Sequence, residues 1–422
     1  MEQTRTRLAD GVYLTYQPDK KFKTSLLSAQ FVTPIRQETA ARQALLVGVL
    51  RRGTKRYPDM GKLSAELNRL YGTVIDYTVR KKGESQCVGF VADLIDDAYA
   101  PGGERLLEPA AALLGELICD PIQQAGRFLP EYVEGERANL VDGIRSILND
   151  KRDYAELRLL QEMCAEEPYG VFRYGDEASA AAITGEDLWQ TYIQTLASAR
   201  LELFYCGSAS RERVQDALGE ALTRLPRTKI QPMEPGVPHP ARREPRIVTE
   251  EMDVTQGKLG MGFAARTDDY PALLMGNIIF GGSSNSKLFL NVREKLSLCY
   301  YASSVCHRQK QMITVSSGIE FENYRRAYDE IMAQLTAVQE GRLEDWELEG
   351  ARSTLLNAYA SMGDSQGKRE GFWLSQTATG HDETPENLAE QVRSVDLPRI
   401  QRAMDTVTLD TVYFLKGKEA AE

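Results

Sequence analysis

Residues 279–301 read IFGGSSNSKLFLNVREKLSLCYY, a run that joins a glycine pair, an Arg-Glu-Lys triplet and a tyrosine pair. The apolar residues from Tyr270 to Phe280 predict a helix that ends at Gly281 and Gly282, because glycine is common where helices stop. A second helix is predicted to begin at Lys287-Leu288, and a strand follows it. The stretch therefore predicts two helices separated by a glycine turn.

The first half of the chain repeats this order. An apolar helix over Ala41 to Leu50 precedes Gly53, and a second helix begins at Lys62-Leu63, 225 residues before Lys287-Leu288. Alternating strands come before the first helix of each half, and long amphipathic helices close each half. The predicted strands and closing helices are 12–16, 25–32, 74–79, 246–249, 258–263 and 312–317, then about 129–149, 152–166, 322–339 and 343–361. The repeat predicts an α+β fold with two homologous domains, each a mostly antiparallel sheet covered by helices.

A proline-rich segment separates the two halves. Residues 226–245 contain six of the 17 prolines of the chain. Proline breaks helices and cannot donate to a sheet ladder, so the segment is predicted to be an extended linker. The predicted domains are therefore residues 1–225 and 246–422.

The glycine-rich stretch resembles the C-terminal-domain signature of the insulinase or pitrilysin family of metallopeptidases, which includes mitochondrial processing peptidase. That signature starts Phe-Gly-Gly-x-x-x-Ser-x-Leu and continues Arg-Glu-Lys-x-Gly-Leu-x-Tyr. The matching residues, in order, are Phe280, Gly281, Gly282, Ser286, Leu288, Arg293, Glu294, Lys295, Leu298 and Tyr300. Ser297 stands where the family has glycine. Since the two-half layout also fits, the resemblance covers essentially the whole chain and implies half of a clamshell.

The resemblance implies a substrate-binding role for Arg293 and Tyr300. In the family, the arginine and the tyrosine seven residues later reach toward the scissile peptide. A guanidinium can donate paired hydrogen bonds to a peptide carbonyl, and a phenol can donate to a developing oxyanion. Gly281 and Gly282 would line the chamber, where small residues let a peptide backbone approach. The alternative is that Arg293 and Tyr300 are structural residues at a helix end and a strand start.

The zinc ligands of the family are missing. Active members carry His-x-x-Glu-His on a helix, which places both histidines on one face and a water-activating glutamate between them. Counted back from Gly53-Thr54, these three positions fall on Ala44, Val47 and Gly48. The third ligand, a glutamate on a later helix, falls on Gly143, although Glu136 of the same motif is retained. We expect no metal at these positions and no cofactor on this chain.

The remaining histidines form no metal motif. The chain has three, His239, His307 and His381, which are far apart in sequence. His239 lies in the proline-rich linker and is expected to be solvated. The sequence also has no P-loop, no Gly-x-Ser-x-Gly elbow and no Cys-x-x-Cys pair. Catalysis by this chain alone is therefore not expected.

Composition excludes several other functions. The net charge of −10 gives no electrostatic attraction to nucleic acid or an anionic membrane. No apolar stretch reaches the roughly 20 residues of a membrane span, and the N-terminus lacks the pattern of a secretory signal. The six cysteines are expected to be buried free thiols in a reducing compartment. The chain is expected to be cytoplasmic.

These observations favour a non-catalytic subunit of a two-chain metallopeptidase. The resemblance implies a zinc-bearing homologue as partner, as in paired bacterial members of the family, with zinc only on that partner. This chain would close the chamber and bind the substrate peptide. The alternative is a scaffold or peptide-binding protein, as heterodimer or homodimer, without any proteolytic role. A third reading, an active enzyme using other chemistry, has no motif to support it.

Overall fold

The computed structural model describes residues 4–234 and 236–418, so the predicted linker is described except for Pro235. The chain folds as two compact units, each assembled from three segments. Unit 1 comprises Met1–Arg145, Val171–Pro235 and Gly363–Asp382, and unit 2 comprises Ser146–Gly170, Gly236–Met362 and Glu383–Glu422. One of the passages between the units, after residue 235, thus lies inside the predicted linker, whose described residues form neither helix nor strand.

The strands in chain order are β1 (Thr4–Ala9), β2 (Val12–Pro18), β3 (Thr24–Pro34), β4 (Val74–Lys82), β5 (Ser85–Ile95), β6 (Arg200–Gly207), β7 (Arg246–Met252), β8 (Gly257–Ala264), β9 (Cys299–His307), β10 (Met312–Ile319) and β11 (Thr408–Gly417). The helices are α1 (Gln37–Leu50), α2 (Met60–Arg69), α3 (Leu107–Cys119), α4 (Pro130–Ser146), α5 (Lys151–Met163), α6 (Glu177–Ala181), α7 (Gly185–Ser198), α8 (Arg211–Ala221), α9 (Tyr270–Asn277), α10 (Tyr324–Gln339), α11 (Asp345–Met362), α12 (Gln366–Ala378), α13 (Pro385–Arg393) and α14 (Leu397–Met404). Two π-helical stretches, Ile278–Gly282 and Leu288–Lys295, continue the motif after α9.

Unit 1 is built on a six-stranded sheet in the order β1-β2-β6-β3-β5-β4. Only the β2–β6 pair among its pairings is parallel. On β3, alternate side chains such as Leu27 and Phe31 join the main core with α1, whereas Leu26 packs with Trp373 of α12. Successive side chains of a strand point to opposite faces, so both faces of this sheet are covered by helices.

Unit 2 is built on a five-stranded sheet in the order β7-β11-β8-β10-β9, with only the β7–β11 pair parallel. Met261 and Phe263 of β8 face a core that includes α9 and α10. The opposite face carries Gly260 and Gly262 against α5. A Cβ atom on Gly262 would lie 2.5 Å from Met163 Sδ, so glycine permits this close approach.

The structure confirms the α+β prediction of two mostly antiparallel sheets covered by helices. It differs from the contiguous domain boundaries in one respect. Helix α5 comes from the first half of the sequence but belongs to unit 2, and α12 comes from the second half but belongs to unit 1. The reason is that amphipathic periodicity shows that a helix has an apolar face without specifying which sheet that face covers.

Among the described residues, no helix combines the length and the apolar character that crossing a bilayer requires.

Candidate functional site

The family's zinc positions lie on two helices of unit 1. Ala44, Val47 and Gly48 are buried on α1, whose residues from Ala40 to Leu50 are buried apart from Arg42. Gly143 is exposed on α4. None of the four side chains carries an atom that can ligate a metal ion, and α1 has become a helix that serves packing.

A groove of about 270 Å³ opens beside Gly48. Its lining comprises Gly48, Arg51, Arg52, Met60, Val74, Ile75, Asp76, Tyr77 and Glu136. A Cβ atom on Gly48 would lie 3.3 Å from Glu136 Oε2, so the retained glutamate is next to the position where the family has its second histidine. The groove thus opens beside one of the positions that the sequence register assigns to a zinc ligand of the family.

The retained Glu136 is paired with an arginine. Arg52 donates from Nη1 to Glu136 Oε1 at 3.1 Å, and its guanidinium carbon lies 5.0 Å from the ring centroid of Tyr132. The lining offers carboxylates but no imidazole or thiol, and its retained glutamate is already paired. Zinc prefers nitrogen and sulfur ligands in a tetrahedral set, so these residues do not fit it.

Burial shifts the pKa of two further side chains of the groove, Arg51 and Tyr77. Desolvation lowers the pKa of the half-buried Arg51 guanidinium, with Asp76 acting in the opposite direction. Arg51 donates from Nε to the carbonyl of Ile75 at 2.6 Å. Burial also raises the pKa of Tyr77, and the charges of Glu136 and Asp76 add to that effect. The groove therefore combines apolar surface with paired charges.

Arg293 and Tyr300 lie in unit 2 and are both solvent-accessible. The Arg293 side chain is 42% exposed, its Nε lies 3.5 Å from Glu294 Oε1, and its guanidinium carbon lies 4.7 Å from the ring centroid of Phe289. Tyr300, on the edge strand β9, is 59% exposed and donates its phenol proton to Glu320. This hydrogen bond raises the pKa of Tyr300. Neither side chain is held in the core.

The glycine pair is explained by packing within unit 2. A Cβ atom on the buried Gly281 would lie 2.7 Å from both Leu288 Cδ1 and Ser304 Oγ. A Cβ atom on Gly282 would lie 2.9 Å from Ile278 Cδ1. Steric exclusion by neighbouring side chains therefore requires glycine here, and a role of the pair in lining a substrate chamber stays a prediction.

Four other motif residues are packed in the fold, whereas Glu294 and Lys295 are exposed. Phe280, Ser286, Leu288 and Leu298 are buried, and Lys287 forms a buried ion pair with Glu347. Ser297, the residue that replaces the family's glycine, has φ of +50°. This left-handed conformation favours glycine, which explains the family preference and marks the serine as a strained substitute.

One of the three histidines lies in a different environment from the one predicted. The expectation that His239 is solvated is wrong, because its side chain is buried against Glu167 and Asp410 in unit 2. The linker residue packs into the unit instead of extending into solvent. His307 bonds to Tyr169 and Thr314, and His381 bonds to Thr379.

Sequence reasoning missed the residues that surround His239. Cys164, Glu167, Lys310 and Asp410 all approach it within unit 2. The only local signal was the three-residue spacing of Cys164 and Glu167 after α5, and the other members are distant in sequence. All six cysteines are free, and burial raises the pKa of Cys87 to about 12.

Comparisons with known proteins agree with these features. A family model described as the inactive domain of M16 peptidases matches residues 182–355. The chain is 34% identical over 406 residues to a probable inactive metalloprotease, YmfF, of Bacillus subtilis strain 168, covering 95% of both chains.

Solved structures show the same fold. A conserved protein from Enterococcus faecalis V583 has a TM-score of 0.91 and 29% identity, with 100% of both chains covered. An M16 peptidase inactive domain from Pseudomonas fluorescens has a TM-score of 0.79 and 17% identity over 100% of both chains, which supports the fold alone.

The motif, the two-sheet architecture, the ligand-free zinc positions and the full-length similarity lead to one conclusion: this chain belongs to the M16 peptidase family, as an inactive homologue.

Proposed function

We propose that this chain is the zinc-less subunit of a heterodimeric M16 peptidase. It would close the cleavage chamber as half of a clamshell and bind the substrate peptide, while a zinc-bearing homologue cuts it. On its own the chain would have no peptidase activity and would require no catalytic zinc. Its composition favours work in the cytoplasm.

One contrast carries this proposal. Every zinc position has lost its donor atom, whereas Arg293 and Tyr300 of the same family motif are present and exposed. Arg293 contacts Glu294 and the ring of Phe289, Tyr300 donates to Glu320, and both side chains remain accessible to solvent. Both side chains are therefore available to a ligand.

The chemistry of the two side chains suits a peptide backbone. Arg293 can donate two parallel hydrogen bonds to a carbonyl or a carboxylate of the substrate. Tyr300 can donate its phenol proton to an oxygen that gains negative charge during cleavage, once it releases Glu320. Acting in trans, both groups would assist the chemistry at the partner's zinc.

The similarity to a probable inactive metalloprotease supports the absence of independent activity. Because the similarity to that relative spans 95% of the chain, the proposal concerns both units. The competing assembly is a homodimer that binds peptides without cutting them. In such a protein the groove beside Gly48, with a volume of about 270 Å³, offers a place for a peptide.

Native mass spectrometry of the tagged chain purified from its own cells tests the proposal. We expect a one-to-one complex with a homologue that carries His-x-x-Glu-His, and peptide cleavage only by the complex. A homodimer without such a homologue, purified from cells that encode none, would contradict the proposal and support a scaffold or peptide-binding role.

A further inference from the structure

A buried cluster in unit 2 brings a thiol, an imidazole and a carboxylate together. Ligand atoms of Cys164, Glu167 and His239 all lie within 4.8 Å of one another. Cys164 follows the C-terminal end of α5, Glu167 lies in the turn after it, and His239 comes from the proline-rich linker. The three residues belong to two segments distant in sequence, so only the tertiary fold creates the cluster.

The imidazole of His239 is held between two carboxylates. Its Nδ1 lies 2.5 Å from Glu167 Oε1, and its Nε2 lies 3.3 Å from Asp410 Oδ2. Asp410 is itself fixed, because the backbone N–H of Arg242 donates to Asp410 Oδ2 at 2.9 Å. A carboxylate on the far ring nitrogen is the usual device that orients a metal-binding histidine. Nδ1 is thus presented toward Glu167, and the thiol of Cys164 belongs to the same cluster of ligand atoms.

The thiol is in a dry environment. Cys164 is 1% exposed, and its thiol donates to Met312 Sδ at 3.8 Å. Met163 and Tyr169 complete a buried apolar layer around it. Because Cys164 and His239 are both buried, a small ion bound there would be shielded from solvent.

Two cationic side chains accompany the two carboxylates of the cluster. Lys310 is buried and holds Glu167 Oε2 through its ammonium group at 2.5 Å, which leaves Oε1 directed at the ring. Arg242 lies 3.4 Å from Asp410 Oδ1 through Nε. A divalent ion bound by Cys164 and His239 would displace the thiol proton and the proton shared between Nδ1 and Oε1. The two positive charges of the ion would therefore replace the charges of the two released protons.

We propose that Cys164, Glu167 and His239 form a binding site for a thiophilic divalent metal ion, with zinc as its ion. Thiolate, imidazole and carboxylate are the three ligand types that zinc uses in proteins. Ligands of one tetrahedral zinc ion stand about 3.3 Å apart, so Glu167 Oε1 must withdraw from Nδ1 by less than about 1 Å. Asp410 orients the ring, and Lys310 and Arg242 neutralise the carboxylates.

This site differs in every residue from the zinc positions of the family, which lie in unit 1. It departs from the expectation that the chain binds no cofactor, and it does not depend on the proposed role in a peptidase complex. Its effect would be to fasten the linker residue His239 to the end of α5 within unit 2.

Cobalt titration of the tag-free, full-length chain after chelator treatment tests the site. Cobalt(II) bound to a thiolate gives a near-ultraviolet charge-transfer band, which reports cysteine ligation directly. We expect one equivalent to produce the band and zinc to displace it. Cys164→Ser should abolish the band, and Asp410→Asn should weaken affinity about 10- to 100-fold. Cys119→Ser, a partly exposed cysteine of unit 1, is the matched control and should behave as the unaltered chain.

Absence of the band in the unaltered chain would overturn the proposal without any variant. Persistence of the band in Cys164→Ser would overturn it as well, because another cysteine would then be the ligand. Circular dichroism of each variant guards against loss of folding. If Cys164→Ser does not fold, His239→Gln replaces it, and metal affinity equal to that of the unaltered chain would contradict the site.

Discussion

Helix α1 of unit 1 and the 280–300 motif of unit 2 differ in whether their key positions are packed or exposed to solvent. Helix α1 carries small or apolar residues at the positions that the sequence register assigns to metal-binding side chains, and ten of its 14 residues are buried. The motif in unit 2 keeps a buried framework around Phe280 and Leu288 while presenting Arg293 and Tyr300 to solvent. The comparison shows that packing accounts for the residues of α1. Packing does not account for the residue types at Arg293 and Tyr300.

The largest effect is expected from restoring the glutamate of the family on α1. Val47→Glu would place a carboxylate at a position that is 1% exposed, where its charge loses most of its hydration. We expect the free energy of unfolding to fall by about 3–5 kcal/mol. Urea unfolding measures this loss.

Val74→Glu is the matched control, because the same substitution falls on a residue of β4 that is 58% exposed. Its effect should stay within about 0.5 kcal/mol. Equal unfolding midpoints for the two variants would mean that α1 still has room and water at this position, and the contrast between the two regions would fail.

A smaller effect is expected where α5 packs on the sheet of unit 2. Gly262→Val would bring side-chain atoms into Met163, whose Sδ lies 2.5 Å from the Cβ position. We expect a destabilisation of about 1–3 kcal/mol from overpacking. Gly350→Ala on α11 is the control, since no atom lies within 4 Å of its Cβ position. That variant should gain about 0.5–1 kcal/mol, and loss of stability there would question the packing argument.

The third prediction concerns the exposed residues of the motif. Arg293→Ala and Tyr300→Phe should each lower kcat/KM of the assembled peptidase about tenfold or more, which corresponds to about 1.4 kcal/mol of transition-state stabilisation. The urea midpoint of the isolated chain should not change, because neither side chain is packed in the core.

Matched controls exist for both substitutions. Arg325→Ala removes an arginine that is 77% exposed and paired with Asp329. Tyr71→Phe removes a phenol that donates to Glu104, as Tyr300 does to Glu320. Normal cleavage by both motif variants would mean that Arg293 and Tyr300 are structural residues and do not act on the substrate.

The smallest effect concerns how the two apolar helices begin. Helix α9 starts on Asp269, which caps Ala272 and pairs with Arg399, whereas α1 has no side-chain cap. The hydrogen bonds from Arg399 lower the pKa of Asp269 below its ordinary value of 3.8. A carboxyl group with a lowered folded-state pKa stabilises the fold above its unfolded pKa and loses this contribution as the pH falls.

Asp269→Asn keeps a capping oxygen but removes the charge. At neutral pH we expect the variant to be less stable by about 1 kcal/mol or less, and the difference should shrink below about pH 4. Thermal unfolding between pH 3 and 7 would show this, with the exposed Asp405→Asn as control. A difference that grows toward acid pH would have the wrong sign for this ion pair.

Much of the fold could be predicted because its signals are local. The alternation of Leu27, Ala29 and Phe31 and the apolar run of α1 specify elements through their periodicity. The closing helices lie within a few residues of their predicted ranges, as α10 at Tyr324–Gln339 shows. The covering of each sheet by a helix from the other half was missed, since no periodicity identifies a helix's partner.

The sequence predicted the missing ligands of the candidate site but not the contacts between its residues. The absence of ligands at Ala44, Val47, Gly48 and Gly143 needed only residue types and register. The pairing of Glu136 with Arg52 and the steric closure around Gly281 needed coordinates, because each depends on atoms that approach across turns of chain.

The sequence by itself determined the α+β class, the family motif and the loss of zinc donors, because periodicity and donor atoms are properties of residue order and type. Only the tertiary structure decided that α5 packs in unit 2 and α12 in unit 1. The same holds for the exposure of Arg293 and Tyr300 and for the burial of His239 beside Cys164 and Glu167. These features arise from contacts between residues far apart in the chain, and a local pattern contains no information about which distant residues will meet.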